Sequence, residues 1–181
     1  ILMKSNQALP INFKNSEVAE FKHIELGIKH AIPFGVSGKL AFNINAGTFI
    51  NREKAYFMDY KHFGGNKTVF SNMGAASNYR FLDYYAFSTT DAYLGGLFHY
   101  QFRKFLFTQL PGLRFSGIRE NIFFNYLKTE SSPHYWELGY SLDNLFRVFR
   151  LEMGAGFENK TYGSGGFRFG IATFISINID E

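Results

Sequence analysis

The sequence predicts an all-β chain: an antiparallel transmembrane β-barrel, or the C-terminal portion of one, with about seven strands and one long inserted loop. Three observations predict it. Apolar and polar residues alternate with period two over segments of roughly 10 residues, the length a tilted strand needs to cross a bilayer. Apolar residues make up 46% of the 181-residue chain, with 23 Phe, 11 Tyr and 18 Gly, yet the mean hydropathy is −0.14. Such a mixture suits strands with one greasy and one polar face. Finally, residues 51–90 carry neither a helical nor a strand period, although both flanks alternate well. An unpatterned stretch of that size inside a compact domain points to a functional loop.

Taken in order, residues 1–20 are polar and contain Pro10, so they read as a loop or the ragged end of a strand. From Phe21 the period is two. Ile24, Leu26, Ile28 and Ile32 share one face; His23, Glu25, Gly27 and Lys29 share the other. Pro33-Phe34-Gly35 signals a turn, after which Leu40, Phe42, Ile44 and Ala46 complete a hairpin. Beyond the long loop, Leu94, Phe98, Tyr100 and Phe102 alternate with Tyr93, Gly95, His99 and Gln101. A connection over 104–113 turns at Pro111-Gly112. The following strand is noisier: Ile118, Ile122, Phe124 and Tyr126 share a face, but Glu120 falls among them.

After the polar loop 129–133, Trp136, Leu138, Tyr140 and Leu142 form one face, and Asp143-Asn144 is expected to begin a turn. Phe149, Leu151, Met153, Ala155 and Phe157 then alternate with Arg150, Glu152, Gly154, Gly156 and Glu158. Residues 159–166 read as a flexible glycine-rich loop, and Phe167–Ile179 as the closing strand, with Arg168 on its polar face. A soluble sandwich is the competing fold, but its strands average only ~5–6 residues. Trp136, Tyr126, Tyr140 and Tyr100 are expected at the membrane interface. Single-chain bacterial barrels have an even strand number, from 8 upward. Seven strands therefore suggest that residues 1–181 are the C-terminal part of one larger barrel domain.

Several functional classes are disfavoured. The net charge of +4 comes from interspersed residues, so no nucleic-acid partner is expected. Cys is absent, which leaves neither a disulfide framework nor a thiolate metal site. The five His, at 23, 30, 62, 99 and 134, have no metal-ligand spacing; no metal and no cofactor are expected. No apolar run reaches the ~18 residues of a membrane-spanning helix. The start ILMKSNQALP lacks a basic region followed by an apolar one, which suggests a mature or truncated chain. GGNKT (64–68) lacks phosphate-loop spacing. No nucleophile motif is present; Ser88, Asp91 and His99 are near one another only in sequence, so no catalytic residue is assigned.

The charged residues of the long loop are Asp59, Lys61, Arg80 and Asp83. If the loop, with its Gly64-Gly65 turn, folds into the lumen, they could pair with inward Glu25, Lys29, Glu137, Arg150, Glu152 or Arg168. Buried charge needs a partner, so such pairs would pin a plug.

The runs DYKHFGGNKTVFS, RFLDYYAFSTTDAYLGGLFHYQF, QLPGLRFSGIRENIFFNYL and YWELGYSLDNLFRVFRLEMGAGF carry a resemblance over roughly residues 55–175. The most specific part is LDYYAFSTTDAYL. The chain resembles the C-terminal barrel of a Bacteroidota family of large outer-membrane proteins of unassigned function. Members carry an N-terminal carboxypeptidase-like regulatory β-sandwich, which implies no peptidase activity.

More distantly, the chain is similar to outer-membrane assembly insertases and two-partner secretion transporters. There a long loop with a Gly-Gly turn and an Arg-Gly-aromatic tip enters the lumen, and five strands follow. This chain has Gly64-Gly65 but lacks that tripeptide; Arg80-Phe81 is its nearest counterpart. The resemblance implies a non-enzymatic protein of the Gram-negative outer membrane, in envelope transport or outer-membrane protein assembly, within a larger complex. Implied partners are outer-membrane lipid, lipopolysaccharide, and other outer-membrane or periplasmic subunits. The alternative is a small outer-membrane enzyme acting on lipid or peptide.

Overall fold

The computed structural model describes residues 2–7, 20–65, 67–71, 74, 76–112 and 116–171. Among them the chain is all-β, with two one-turn 3-10 segments and no α-helix. The strands are β1 (Leu2–Gln7), β2 (Glu20–Phe34), β3 (Gly38–Lys54), β4 (Phe70–Ser71), β5 (Tyr93–Phe102), β6 (Arg119–Thr129), β7 (Tyr135–Leu145), β8 (Phe149–Glu158) and β9 (Thr161–Ile171). They form one sheet in the order β1-β2-β3-β5-β6-β7-β8-β9-β4. Seven of them are long and antiparallel, as expected; β1 adds six residues, and β4 lies parallel to β9 through Phe70 and Ser71. Among the described residues β1 and β9 are not paired, so the sheet stays open.

Period two decides which side chains are covered, because successive residues of a strand point to opposite faces. On one face Ile24, Leu26, Ile28, Leu94, Phe124, Leu138, Met153, Phe167 and Phe169 are exposed. On the other, His99, Asn121, Asn125, Glu137, Ser141, Glu152 and Arg168 are buried. We call these the outer and inner faces. The apolar core does not lie between two sheets. It lies where residues 55–92 fold back on the inner face, and joins Phe63, Tyr79, Leu82 and Phe87 of that segment to Tyr93, Leu97, Leu127 and Tyr135 of the strands.

Three boundaries differ from the expected ones. The long loop starts at 55, because β3 continues to Lys54 by pairing with Glu20 and Lys22 of β2. Asp143-Asn144 does not begin a turn. Asp143 receives hydrogen bonds from Arg150 across the hairpin at 2.6 and 2.7 Å, Asn144 (φ 66°) makes a bulge, and β7 runs to Leu145. Residues 161–166 are strand, so only Asn159-Lys160 turn the chain. Here glycine marks close approach rather than a loop: a Cβ on Gly165 would stand 2.6 Å from the Gly154 carbonyl. The last strand thus begins at Thr161 rather than Phe167, and it is described as far as Ile171. Residues 172–179 and 8–19, including Pro10, lie outside the described residues.

The expected interface aromatics sit on the outer face. Tyr126, Trp136, Phe157 and Tyr162 are successive register partners across four strands, with Trp136 stacked on Phe157 at 4.2 Å. Tyr100 and Tyr140 lie toward the opposite end, where Tyr100 packs beside Phe34.

Candidate functional site

The site is the contact between the 55–92 segment and the inner face. Sequence alone gives Arg80 as one of the charged residues of the long loop; the sheet supplies its surroundings. Glu137 of β7 is fully buried, and its two carboxylate oxygens accept the successive backbone N–H groups of Arg80 and Phe81, both at 2.7 Å. Asn125 of β6 donates to the same carboxylate at 2.7 Å and the Tyr135 hydroxyl at 3.3 Å. One carboxylate therefore satisfies two loop amides that would otherwise be orphaned away from water.

The Arg80 side chain, 1% exposed, passes between β6 and β8. Its Nε donates to Glu152 at 3.2 Å, and its guanidinium lies 4.1 Å from the centre of the Phe123 ring. Nη2 has no hydrogen-bond acceptor among the described residues, so the ring face supplies its electrostatic partner. Arg168 of β9 ties down both limbs of the loop: Nη1 donates to the Arg80 carbonyl and Nε to the Thr68 carbonyl, each at 3.1 Å. Ser164 donates to the Phe81 carbonyl at 2.8 Å.

Charge is balanced across this face. Arg80, Arg150 and Arg168 surround Glu152, and Arg150 also clasps Asp143 while lying 3.9 Å from Glu152; Glu137, close by, takes the Arg80 backbone N–H. Three cations against three carboxylates leave no net buried charge, the condition under which an ionic cluster is tolerated away from water.

Small residues make room for the loop. A Cβ on Gly154 would meet the Phe81 ring at 2.9 Å, and one on Gly156 the Tyr135 hydroxyl at 2.7 Å. Gly139 similarly seats the Phe123 ring. Toward β5, Tyr79 donates to the Tyr126 carbonyl at 3.0 Å. Burial, reinforced by the Glu137 charge, pushes the Tyr79 hydroxyl above its usual range, so it remains a neutral donor. A second anchor lies near β2, where Lys61 meets Glu25 at 2.6 Å and stands 5.4 Å from the Tyr93 ring centre.

The Gly64-Gly65 pair sits at the loop's own crossing. The Gly64 carbonyl accepts from Tyr79 N–H at 2.9 Å, and a Cβ on Gly65 would stand 2.5 Å from the Leu82 carbonyl. Gly65→Ala is therefore expected to force the two limbs apart, at a cost of roughly 1–3 kcal/mol. Limited proteolysis should then cut within 55–92 while the strands stay protected. Unchanged cleavage would show that the crossing tolerates a methyl group.

Some expected participants are elsewhere. Asp83 is exposed and pairs with Lys67 inside the loop at 3.0 Å, because its side chain leaves the face that Arg80 enters. Asp59 accepts the Tyr56 N–H and closes a 3-10 turn. Lys29, though on the polar face of β2, is exposed. Ser88 bonds His62 at 2.7 Å, and His99 is buried on β5, so the structure does not bring Ser88 and His99 together as a pair.

Sequence reading missed Tyr79, Phe123 and Asn125, which carry no charge pattern. It noticed Glu120 only as noise. Glu120 does point to the outer face, yet it is fully buried there. The β5–β6 connection wraps it: the N–H groups of Phe105, Leu106, Phe107 and Thr108 donate at 2.9–3.2 Å, joined by the Thr108 and Tyr140 hydroxyls. An acidic residue interrupting an apolar strand face was the available signal.

Fold and site together define a class: an all-β antiparallel sheet whose inner face is polar and holds an inserted segment by buried ionic contacts. The chain belongs to a family of unknown function (DUF5686), whose C-terminal domain matches residues 4–142, more than half of the chain. No curated protein and no solved structure matches it.

Proposed function

We propose that this chain is the C-terminal part of an outer-membrane β-barrel of a Gram-negative bacterium, with residues 55–92 as a plug in its lumen. Its role in this reading is non-enzymatic: envelope transport or outer-membrane protein assembly, as a subunit of a larger complex. The distribution of side chains between the two faces carries the reading. Aliphatic and aromatic residues are exposed on the outer face, while ionised groups are buried on the inner one, the reverse of a soluble sheet. An 11-residue strand such as β7 rises roughly 36 Å, or about 25–29 Å of bilayer at a tilt of 35–45°. Among the described residues the sheet does not close on itself, which favours a larger barrel, since unpaired edges are not tolerated in lipid.

On this reading the partners are outer-membrane lipid and lipopolysaccharide around the outer face, and other outer-membrane or periplasmic subunits at the rims. Opening requires the contacts of Arg80, Glu137, Glu152 and Arg168 to part. The one Trp of the chain supplies a test of the membrane placement. In the full-length protein reconstituted in bilayers, brominated lipid is expected to quench an emission component that Trp136→Phe removes. A Trp136 component that is insensitive to brominated lipid would sink the barrel reading.

A further inference from the structure

The two ends of the sheet differ in charge and in greasiness. At the end that carries the β2–β3, β5–β6 and β7–β8 turns, Val36 is 81% and Phe146 90% exposed, and Leu106, Leu110 and Val148 are exposed as well. Lys39, Arg103, Lys104, Arg119 and Arg147 are exposed among them. The described carboxylates at this end, Glu120 and Asp143, are both buried and internally bonded. At the opposite end the exposed charges are mixed, Asp83, Glu130 and Glu158 beside Lys67 and Lys160.

Two grooves open on the outer face at this basic end, one apolar and one of mixed lining. One, of about 590 Å³, runs past Phe107, Ile118, Leu142, Leu145 and Phe146 to Arg147. The other, of about 570 Å³, runs past Val36, Tyr100, Phe102 and Phe105 to Arg103 and Lys104. The ridge that divides them is the Phe105–Thr108 backbone, and the buried Glu120 carboxylate pins that ridge to β6 through four backbone N–H groups. The β7–β8 turn is also unusual: Phe146 (φ 50°) and Arg147 (φ 71°) both occupy left-handed backbone, where Asn and Gly are preferred. The turn thus holds a bulky apolar and a cationic side chain at the groove mouth against local preference.

We propose that this end binds an anionic phospholipid, with acyl chains in the two grooves and the phosphate held by Arg103, Lys104 and Arg147. The charge pattern selects this occupant. Aliphatic and aromatic side chains make up most of both linings, their mouths are basic, and the nearby carboxylates are already satisfied within the fold. A positive rim beside a hydrocarbon-lined groove matches an anionic headgroup on acyl chains, each basic residue adding to the attraction of an anionic surface. In the barrel this orients the turn end toward the phospholipid leaflet, so the inference rests on the membrane reading above.

The test is native mass spectrometry of the full-length protein in micelles containing equal dioleoyl phosphatidylglycerol and dioleoyl phosphatidylcholine. Retention of the phosphatidylglycerol is expected to be favoured by about tenfold or more, as several basic groups at one headgroup give. R103Q/K104Q should lower the preference. F146N/R147G should lower it too while keeping or raising thermal stability, because Asn and Gly suit that turn. Equal retention of the two lipids, a preference indifferent to both variants, or complete displacement by inorganic phosphate would overturn the inference. In each of those cases the protein must still enter phosphatidylcholine vesicles and resist alkaline extraction. Failure to enter them at all would overturn the membrane reading, and this inference with it.

Discussion

Replacing Arg80 with alanine is expected to release the 55–92 segment from the inner face and to raise the conductance of the reconstituted full-length protein. The guanidinium is fully enclosed, bonded to Glu152 and stacked on Phe123. Its removal leaves Glu152 buried, with Arg150 and Arg168 no closer than 3.8 Å. Breaking one side of a buried ion pair costs about 3–5 kcal/mol, because the surviving charge stays desolvated. Asp83→Ala is the matched control in the same loop. Its pair with Lys67 is solvent-exposed and is worth about 0–1 kcal/mol at most. A double variant, R80M/E152M, should recover much of the lost stability, since it removes both charges and leaves apolar volume. Equal conductance and heat stability for wild type, R80A and D83A would mean that the segment does not plug the lumen.

The second large effect is expected at Glu137. Its carboxylate accepts from Arg80 N, Phe81 N, Asn125 Nδ2 and the Tyr135 hydroxyl, all within 3.3 Å. Glu137→Ala strands four buried donors and removes one of the three negative charges that balance the cluster. Each stranded donor costs roughly 1–3 kcal/mol before relaxation, so a total loss of about 3–5 kcal/mol is expected once the loop has partly relaxed. The informative comparison is Glu137→Gln. An amide keeps the volume but turns one acceptor into a donor that faces another N–H, so Gln should be nearly as harmful as Ala. Hydrogen exchange at Arg80 and Phe81 should quicken in both variants while the β6–β7 ladder stays protected. A neutral E137Q would show that the carboxylate is merely one more polar group on the inner face.

For the strand residues in these two effects, Glu137 and Glu152, the side of the sheet was legible beforehand, but the partners were not. Glu25, Glu137, Arg150, Glu152 and Arg168 were placed on the inner face by counting every second residue from their apolar neighbours, and that count survives in the structure. The same count put Lys29 inward, yet it stays exposed, because facing inward is not the same as being covered. Arg80 and Asp83, three residues apart in an unpatterned loop, were equivalent candidates on charge alone. One became the anchor and the other a surface group, according to which side of the chain met β7 and β8. Strand ends at Lys54, Leu145 and Thr161 were also hidden, since each depends on a cross-strand partner rather than on a local turn signal.

By itself, then, the sequence determined the class of fold, the two faces of each long strand and the position of the inserted segment. Those follow from period-two patterning, which needs no knowledge of distant residues. Only the tertiary structure decided that Glu137 grips two loop amides, that Gly154 and Gly156 seat Phe81, and that Glu120 is wrapped on the outer face. The physical reason is the same in each case. A buried polar group takes whichever donor the fold brings within about 3 Å, and here that donor comes from 12 to 57 residues away along the chain.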